Sequence, residues 1–184
     1  PRSETNALSL LGRKPAHRPR FAGDEPPRTP LGALVGVADK LDTLAGFFGL
    51  GLVPSGSEDP YALRRQANGA LITLLQHDFK LTLWDLAFLA CDGYPGDLHP
   101  KNKARDAVAE ELCDFLKGRL EVVLTAEGIP ADAVAAVLAA GGKLVEVHEM
   151  KTRTEGLSAM RSREGFDRLV LSVKRIANIV EDGV

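Results

Sequence analysis

The chain has 184 residues, of which 45% are apolar and 26% are charged, and its formal net charge is −2 at pH 7. This composition is typical of a globular protein and excludes both a disordered chain and a strongly basic nucleic-acid binder. No apolar run reaches the roughly 18 residues that a membrane-spanning helix needs, so we expect no membrane association. The two cysteines, Cys91 and Cys113, form no CxxC motif, and we expect two buried, reduced thiols.

The first thirty residues are rich in proline and keep no period, so residues 1–30 are predicted to be an extended, irregular leader. The next stretch has a strong helical pattern, because apolar residues recur at steps of three and four from Leu34 to Phe48. Gly49 and Gly51 then end this first helix, since glycine adopts a positive φ without a steric clash.

Further helical patterns follow along the chain, and most are bounded by capping residues, proline or glycine. They are predicted over residues 60–77, 83–91, 104–127, 130–140 and 144–153. A last helix follows Ser162, and its apolar stripe is predicted to lie in the core: Phe166, Leu169, Val170, Val173, Ile176, Ala177 and Val180. No stretch alternates apolar and polar residues as a strand would, so the predicted fold class is all-α.

Asp39 and Asp42 lie three residues apart, so both carboxylates can project from one side of the first predicted helix. Such a pair could share a divalent cation, but a metal centre needs further converging ligands, and Asp39 is the only metal candidate. Arg64 and Arg65 fall near the start of the second predicted helix, where the helix dipole disfavours a cation unless a carboxylate is close. We therefore predict structural ion pairs between these two arginines and the two aspartates.

No catalytic motif is present: the chain contains no GxSxG, GxGxxG, GxxxxGK[ST] or HExxH string. The four histidines are scattered, with no spacing that points to a metal site. We predict no catalytic residue in this chain.

Two long strings, ADKLDTLAGFFGLG at residues 38–51 and PSGSEDPYALRR at residues 54–65, closely resemble the β subunit of bacterial tetrameric glycyl-tRNA synthetase. The piece HRPRFAGDEPP at residues 17–27 extends this resemblance upstream, and the regions 114–128 and 166–180 continue it. The resemblance implies a fragment of that β subunit. Residues 31–92 would then be the end of a helical HD-like domain, and residues 103–184 a helical domain of the anticodon-binding type.

The first helix is also similar to the "AD" helix of HD phosphohydrolases, in which a late aspartate completes a metal site, and Asp39 matches that aspartate. The upstream His and His-Asp ligands of such a site are absent from this chain, and its only His-Asp pair, His77-Asp78, follows Asp39 in the wrong order. The resemblance therefore implies a retained scaffold. A remnant of a metal-dependent phosphohydrolase is the alternative.

The last predicted helix resembles the family's anticodon-binding region, with its K-R-x-x-N-I string at Lys174, Arg175, Asn178 and Ile179. Arg168 lies seven residues before Arg175, on the side away from the apolar stripe. Because Arg and Lys neutralise phosphates and Asn can bond base edges, the resemblance implies tRNA binding by Arg168, Lys174, Arg175 and Asn178. The other interpretation of the same pattern is a solvated polar face.

The resemblance implies a cytoplasmic parent complex, a hetero-tetramer that joins glycine to glycine tRNA with ATP and Mg²⁺. In that complex the separate α subunit handles glycine and ATP, so this fragment itself would be non-catalytic and hold no cofactor. A helical protein-interaction module that never meets RNA is the remaining alternative.

Overall fold

The computed structural model describes residues 24–56, 58–94, 103–142, 144 and 146–181, with side chains up to residue 179 in the last stretch. Most of the predicted leader, residues 1–23, lies outside the described residues, as do His17, His99 and much of the loop between Cys91 and Lys103. The described residues form seven helices and no strand, so the all-α prediction is confirmed. The helices are α1 (Pro30–Gly49), α2 (Leu63–His77), α3 (Leu83–Asp92), α4 (Arg105–Ala126), α5 (Ala131–Gly141), α6 (Val147–Arg161) and α7 (Phe166–Glu181).

Local signals explain where the first helices begin and end. Thr29 caps α1 by accepting a hydrogen bond from the amide of Gly32, and Gly51 follows the helix with φ +71°, as predicted for a glycine stop. The Asp59 carboxylate accepts hydrogen bonds from the first two amides of α2, those of Leu63 at 2.7 Å and Arg64 at 3.0 Å. The helix begins three residues later than predicted because Ala62 adopts a left-handed conformation, with φ +58°.

A capping box begins α3. The hydroxyl of Thr82 accepts a hydrogen bond from the amide of Asp85 at 3.0 Å, and the Asp85 carboxylate accepts one from the amide of Thr82 at the same distance. An isolated antiparallel bridge joins Thr82 to Glu146, next to the bond from the amide of Val147 to the carbonyl of Leu81. The starts of α3 and α6 are therefore tied together.

One hydrophobic core runs through the first six helices. Helix α4 is its centre, because Leu112, Leu116 and Leu120 are fully buried and the helix packs against α1, α2, α3 and α5. The loop predicted to divide an HD-like segment from an anticodon-binding-type segment is therefore not a break in packing, since the core continues from Val37 to Met150. Which domain type each segment represents stays a prediction.

Candidate nucleic-acid interface

Helix α7 presents the four predicted tRNA-binding residues to solvent. Arg168, Lys174, Arg175 and Asn178 are all exposed, and they share an arc of the helix that also includes the exposed Leu171. At about 100° per residue, Arg168 and Arg175 nearly superimpose along the axis, with Asn178 on the same side and Lys174 at its edge. None of the three cations forms an ion pair with a carboxylate in the part of the chain that the structure describes.

The apolar side of α7 does not lie in the core, which contradicts the prediction for this helix. The apolar stripe of this helix was expected in the core, yet Leu169, Val173 and Ile176 are 51%, 57% and 61% exposed. The physical reason is that α6 is the main described neighbour of α7 and covers little of it; only Phe166 is partly buried. The side chain of Val180, also predicted in the stripe, lies outside the described residues.

The predicted ion pairs between the aspartates of α1 and the arginines of α2 do not form. Arg64 instead donates to the backbone carbonyls of Glu58 and Gly56, at 3.0 and 2.7 Å, because the loop before α2 folds back over its side chain. The adjacent Arg65 is exposed and forms no ion pair with either aspartate among the described residues.

Asp42 takes a different partner. The hydroxyl of Tyr94 donates to the Asp42 carboxylate at 2.9 Å and also lies 3.0 Å from the Asp42 carbonyl oxygen. Gly46 makes this approach possible, since a Cβ there would lie only 3.0 Å from the Tyr94 hydroxyl oxygen. The bonds fasten the end of α3 to the middle of α1, a link that spacing along the sequence could not reveal.

Asp39, the metal candidate, is exposed on α1. Among the described residues no three His, Cys, Asp or Glu side chains lie together in a way that could hold a metal ion. The His77-Asp78 pair has other contacts: the His77 ring lies 2.7 Å from the Pro27 carbonyl oxygen, and Asp78 forms an ion pair with Lys80. Asp39 therefore has no second ligand from this pair.

Two cationic side chains lie against the core, Lys40 fully buried and Arg119 partly buried. Lys40, between the two aspartates in sequence, is only 2% exposed and donates to the Gly36 carbonyl, and burial lowers the pKa of its ammonium group. Arg119 of α4 donates to the side-chain oxygen of Asn68 in α2 at 2.9 Å, and burial lowers the pKa of its guanidinium. Arg119 thus links α4 to α2, the structural role that its position near an apolar stripe predicts, whereas no role was predicted for Lys40 from the sequence.

An apolar groove of about 320 Å³ lies between α1 and α3. The residues that line it include Leu34, Val37, Leu41, Leu86 and Leu89, together with Asp42.

No helix in the described part of the chain is long and apolar enough to cross a bilayer.

The seven helices and the exposed residues of α7 define an all-α protein with an exposed cationic helix face. A family profile described as the glycyl-tRNA synthetase beta subunit matches residues 11–139, which is more than two thirds of the sequence. The chain belongs to this family.

Curated relatives agree with that family. The chain is 42% identical over 161 residues to the glycine–tRNA ligase beta subunit of Moorella thermoacetica, a match that covers 88% of this chain and 23% of the relative. It is 41% identical over 166 residues to the beta subunit of Geobacter sulfurreducens, covering 90% of this chain and 23% of that protein. The chain thus spans about a quarter of the length of the curated relatives it matches.

Proposed function

We propose that this chain is part of the β subunit of a glycine–tRNA ligase, and that it contributes tRNA binding and scaffold to the ATP-dependent joining of glycine to glycine tRNA. The observation that carries the tRNA-binding role is the exposed face of α7 with Arg168, Lys174, Arg175 and Asn178. Family membership supplies the reaction, which is named for the relatives.

The chemistry of this face suits an RNA loop. Arg168, Lys174 and Arg175 can neutralise phosphates, and the Asn178 amide can both donate to and accept from the edge of an unstacked base. None of these three cations is bound to a carboxylate of the described residues, so no described carboxylate competes with RNA for them. The neighbouring Asp167 adds one negative charge to the three positive charges of these cations, so the net charge of the exposed part of α7 remains positive.

ATP and Mg²⁺ belong, in this proposal, to a separate α subunit in a cytoplasmic hetero-tetramer. The described residues do not fit a Mg²⁺–ATP site, because they provide no converging set of carboxylate or histidine ligands. The packed helices of the chain also act as scaffold, in which Arg119 joins α4 to α2 and Tyr94 joins the end of α3 to α1.

Aminoacylation by the assembled α and β subunits tests the proposal. Changing Lys174, Arg175 and Asn178 to Ala should raise the KM for tRNA at least tenfold, while kcat and the KM values for glycine and ATP stay within twofold. The salt dependence of tRNA binding should also become shallower, because fewer phosphate contacts release fewer counterions.

A matched control removes two positive charges from a distant surface, with Arg28 and Arg65 both changed to Ala. Both are exposed, so this variant should keep the wild-type KM for tRNA. Equal effects of the two variants, or none from the α7 variant, would contradict the assignment of tRNA binding to α7.

A protein-interaction module is a second candidate, favoured by the exposed apolar residues of α7 and by the groove between α1 and α3. It predicts no salt-dependent affinity for tRNA. The same binding measurement therefore separates the two functions.

A further inference from the structure

Helix α7 carries an apolar surface that no described helix covers. We define its apolar band as Leu169, Val170, Val173 and Ile176, which are 42% to 61% exposed. By contrast, the apolar sides of α1 to α5 are largely buried, and Leu112 and Leu120 of α4 are completely so. The apolar band therefore resembles the core-facing side of a buried helix, but no described helix covers it.

The spacing of the band indicates what kind of element covers it. Phe166 and Val173 are seven residues apart, as are Leu169 and Ile176, so the apolar residues repeat along a narrow seam. A seam of this kind accepts the side chains of one facing helix, whereas a sheet or a flat surface would need a wider apolar area. The partner is therefore an α-helix with its own apolar stripe.

A second copy of this chain is a poor candidate for that helix. With a rise of 1.5 Å per residue and a width of about 10 Å, α7 offers a footprint of about 24 by 10 Å on each copy. Even doubled for surface roughness, two such footprints stay under the roughly 1,200 Å² at the lower end of stable interfaces. A helix in the same polypeptide needs no such area, because its effective concentration is already high.

The curated relatives contain further sequence that could supply that helix, because the stretch they share with this chain is only 23% of their length. We infer that the apolar band of α7 is a permanent intramolecular interface that packs against a helix from another part of the full-length β subunit. The inference rests on family membership and on the exposed band, and it does not depend on tRNA binding by the opposite side of α7.

Thiol labelling of the full-length β subunit, purified alone and without tRNA, tests this interface. Ile176→Cys places a thiol in the band, and Leu171→Cys is the matched control: Leu171 is 55% exposed and lies about 200° around the helix from Val173. Mass spectrometry of the labelled α7 peptide separates these thiols from native cysteines. We expect Ile176→Cys to react at least tenfold more slowly than Leu171→Cys in the full-length subunit, and at a similar rate in this chain alone.

Equal reactivity of the two thiols in the full-length subunit would overturn the inference. So would protection of Ile176→Cys that appears only when the α subunit is added, or that grows with the concentration of this chain, because these results assign the band to the α subunit or to a second copy. Val173→Cys repeats the test if Ile176→Cys fails to fold by circular dichroism. The two proposals can fail separately. An unprotected apolar band would overturn this inference whatever the α7 variant does to the KM for tRNA, and an unchanged KM for tRNA in that variant would overturn the proposed function whether or not the band is protected.

Discussion

Replacing Leu112 by Ala tests whether the first six helices share one core. Leu112 is fully buried in α4, which packs against α1, α2 and α3. A buried Leu→Ala change costs the transfer free energy of the side chain plus a cavity term, so we expect a loss of about 3 to 4 kcal/mol in the free energy of unfolding. With a urea m-value of about 2 kcal/mol/M, the unfolding midpoint should fall by about 1.5 to 2 M.

Two probes report on different parts of the chain. Trp84, the only tryptophan, lies in α3, within the first predicted segment, so its fluorescence follows that segment. Circular dichroism at 222 nm follows all helices. If the core is shared, Leu112→Ala should move both transitions by the same amount, and the two curves should coincide.

A control on the same helix isolates the effect of burial. Val122 of α4 is 45% exposed, so Val122→Ala should change the stability by less than about 0.5 kcal/mol. A circular dichroism midpoint that falls in Leu112→Ala while the Trp84 midpoint stays at the wild-type value would refute the single core. It would show that the two predicted segments unfold as separate units.

Three further predictions concern local contacts. Thr82→Ala should lower the stability by about 1 to 2 kcal/mol in urea unfolding, because it removes the cap of the Asp85 amide, and Thr82→Ser should restore most of it; equal stability of Ala and Ser variants would argue against the cap. Tyr94→Phe should cost about 1 kcal/mol or less, since it removes an exposed bond to Asp42, and a loss above 2 kcal/mol would mean that the hydroxyl does more than this contact indicates. Burial raises the pKa of the Cys91 thiol to about 11, so the folded state holds this proton more tightly than the unfolded chain. Its stabilising contribution is complete below the unfolded pKa of about 8.5 and is lost as the pH rises through the folded value, so the urea midpoint should fall between pH 8 and 10.5 by more in the wild type than in Cys91→Ala, and parallel curves would contradict this.

The helices of this fold could be predicted because their signals are local. Thr82 caps α3, and Gly51 ends α1 through its positive φ, whereas Asp59 binds the first amides of α2 from three residues before its N-cap, Ala62. The boundaries differ where a turn intervenes, as at Ala62 before α2. These features depend on a few neighbouring residues, so periodicity and capping rules reach them.

Partners across the fold could not be predicted in the same way. The charge of Arg64 suggested a carboxylate, but two loop carbonyls lie closer, and Asp42 bonds to Tyr94, which is 52 residues away. The stripe of α7 shows a related limit: an apolar period predicts that a face will be covered, and says nothing of the covering element. The residues proposed to bind tRNA on α7 come from the family resemblance, and the helical period adds only that they lie away from the apolar stripe.

The shared core also has a consequence for synthesis of the protein. Helices α1 and α2 leave the ribosome before α4, but much of the surface that covers them belongs to α4, which ends at Ala126. At roughly 5 to 20 residues per second, the ribosome needs roughly 4 to 15 s to advance from the end of α1 to the end of α4. During that interval the nascent chain exposes leucine-rich helix faces, so a chaperone that binds such faces should associate with the chain until α4 emerges and then release it.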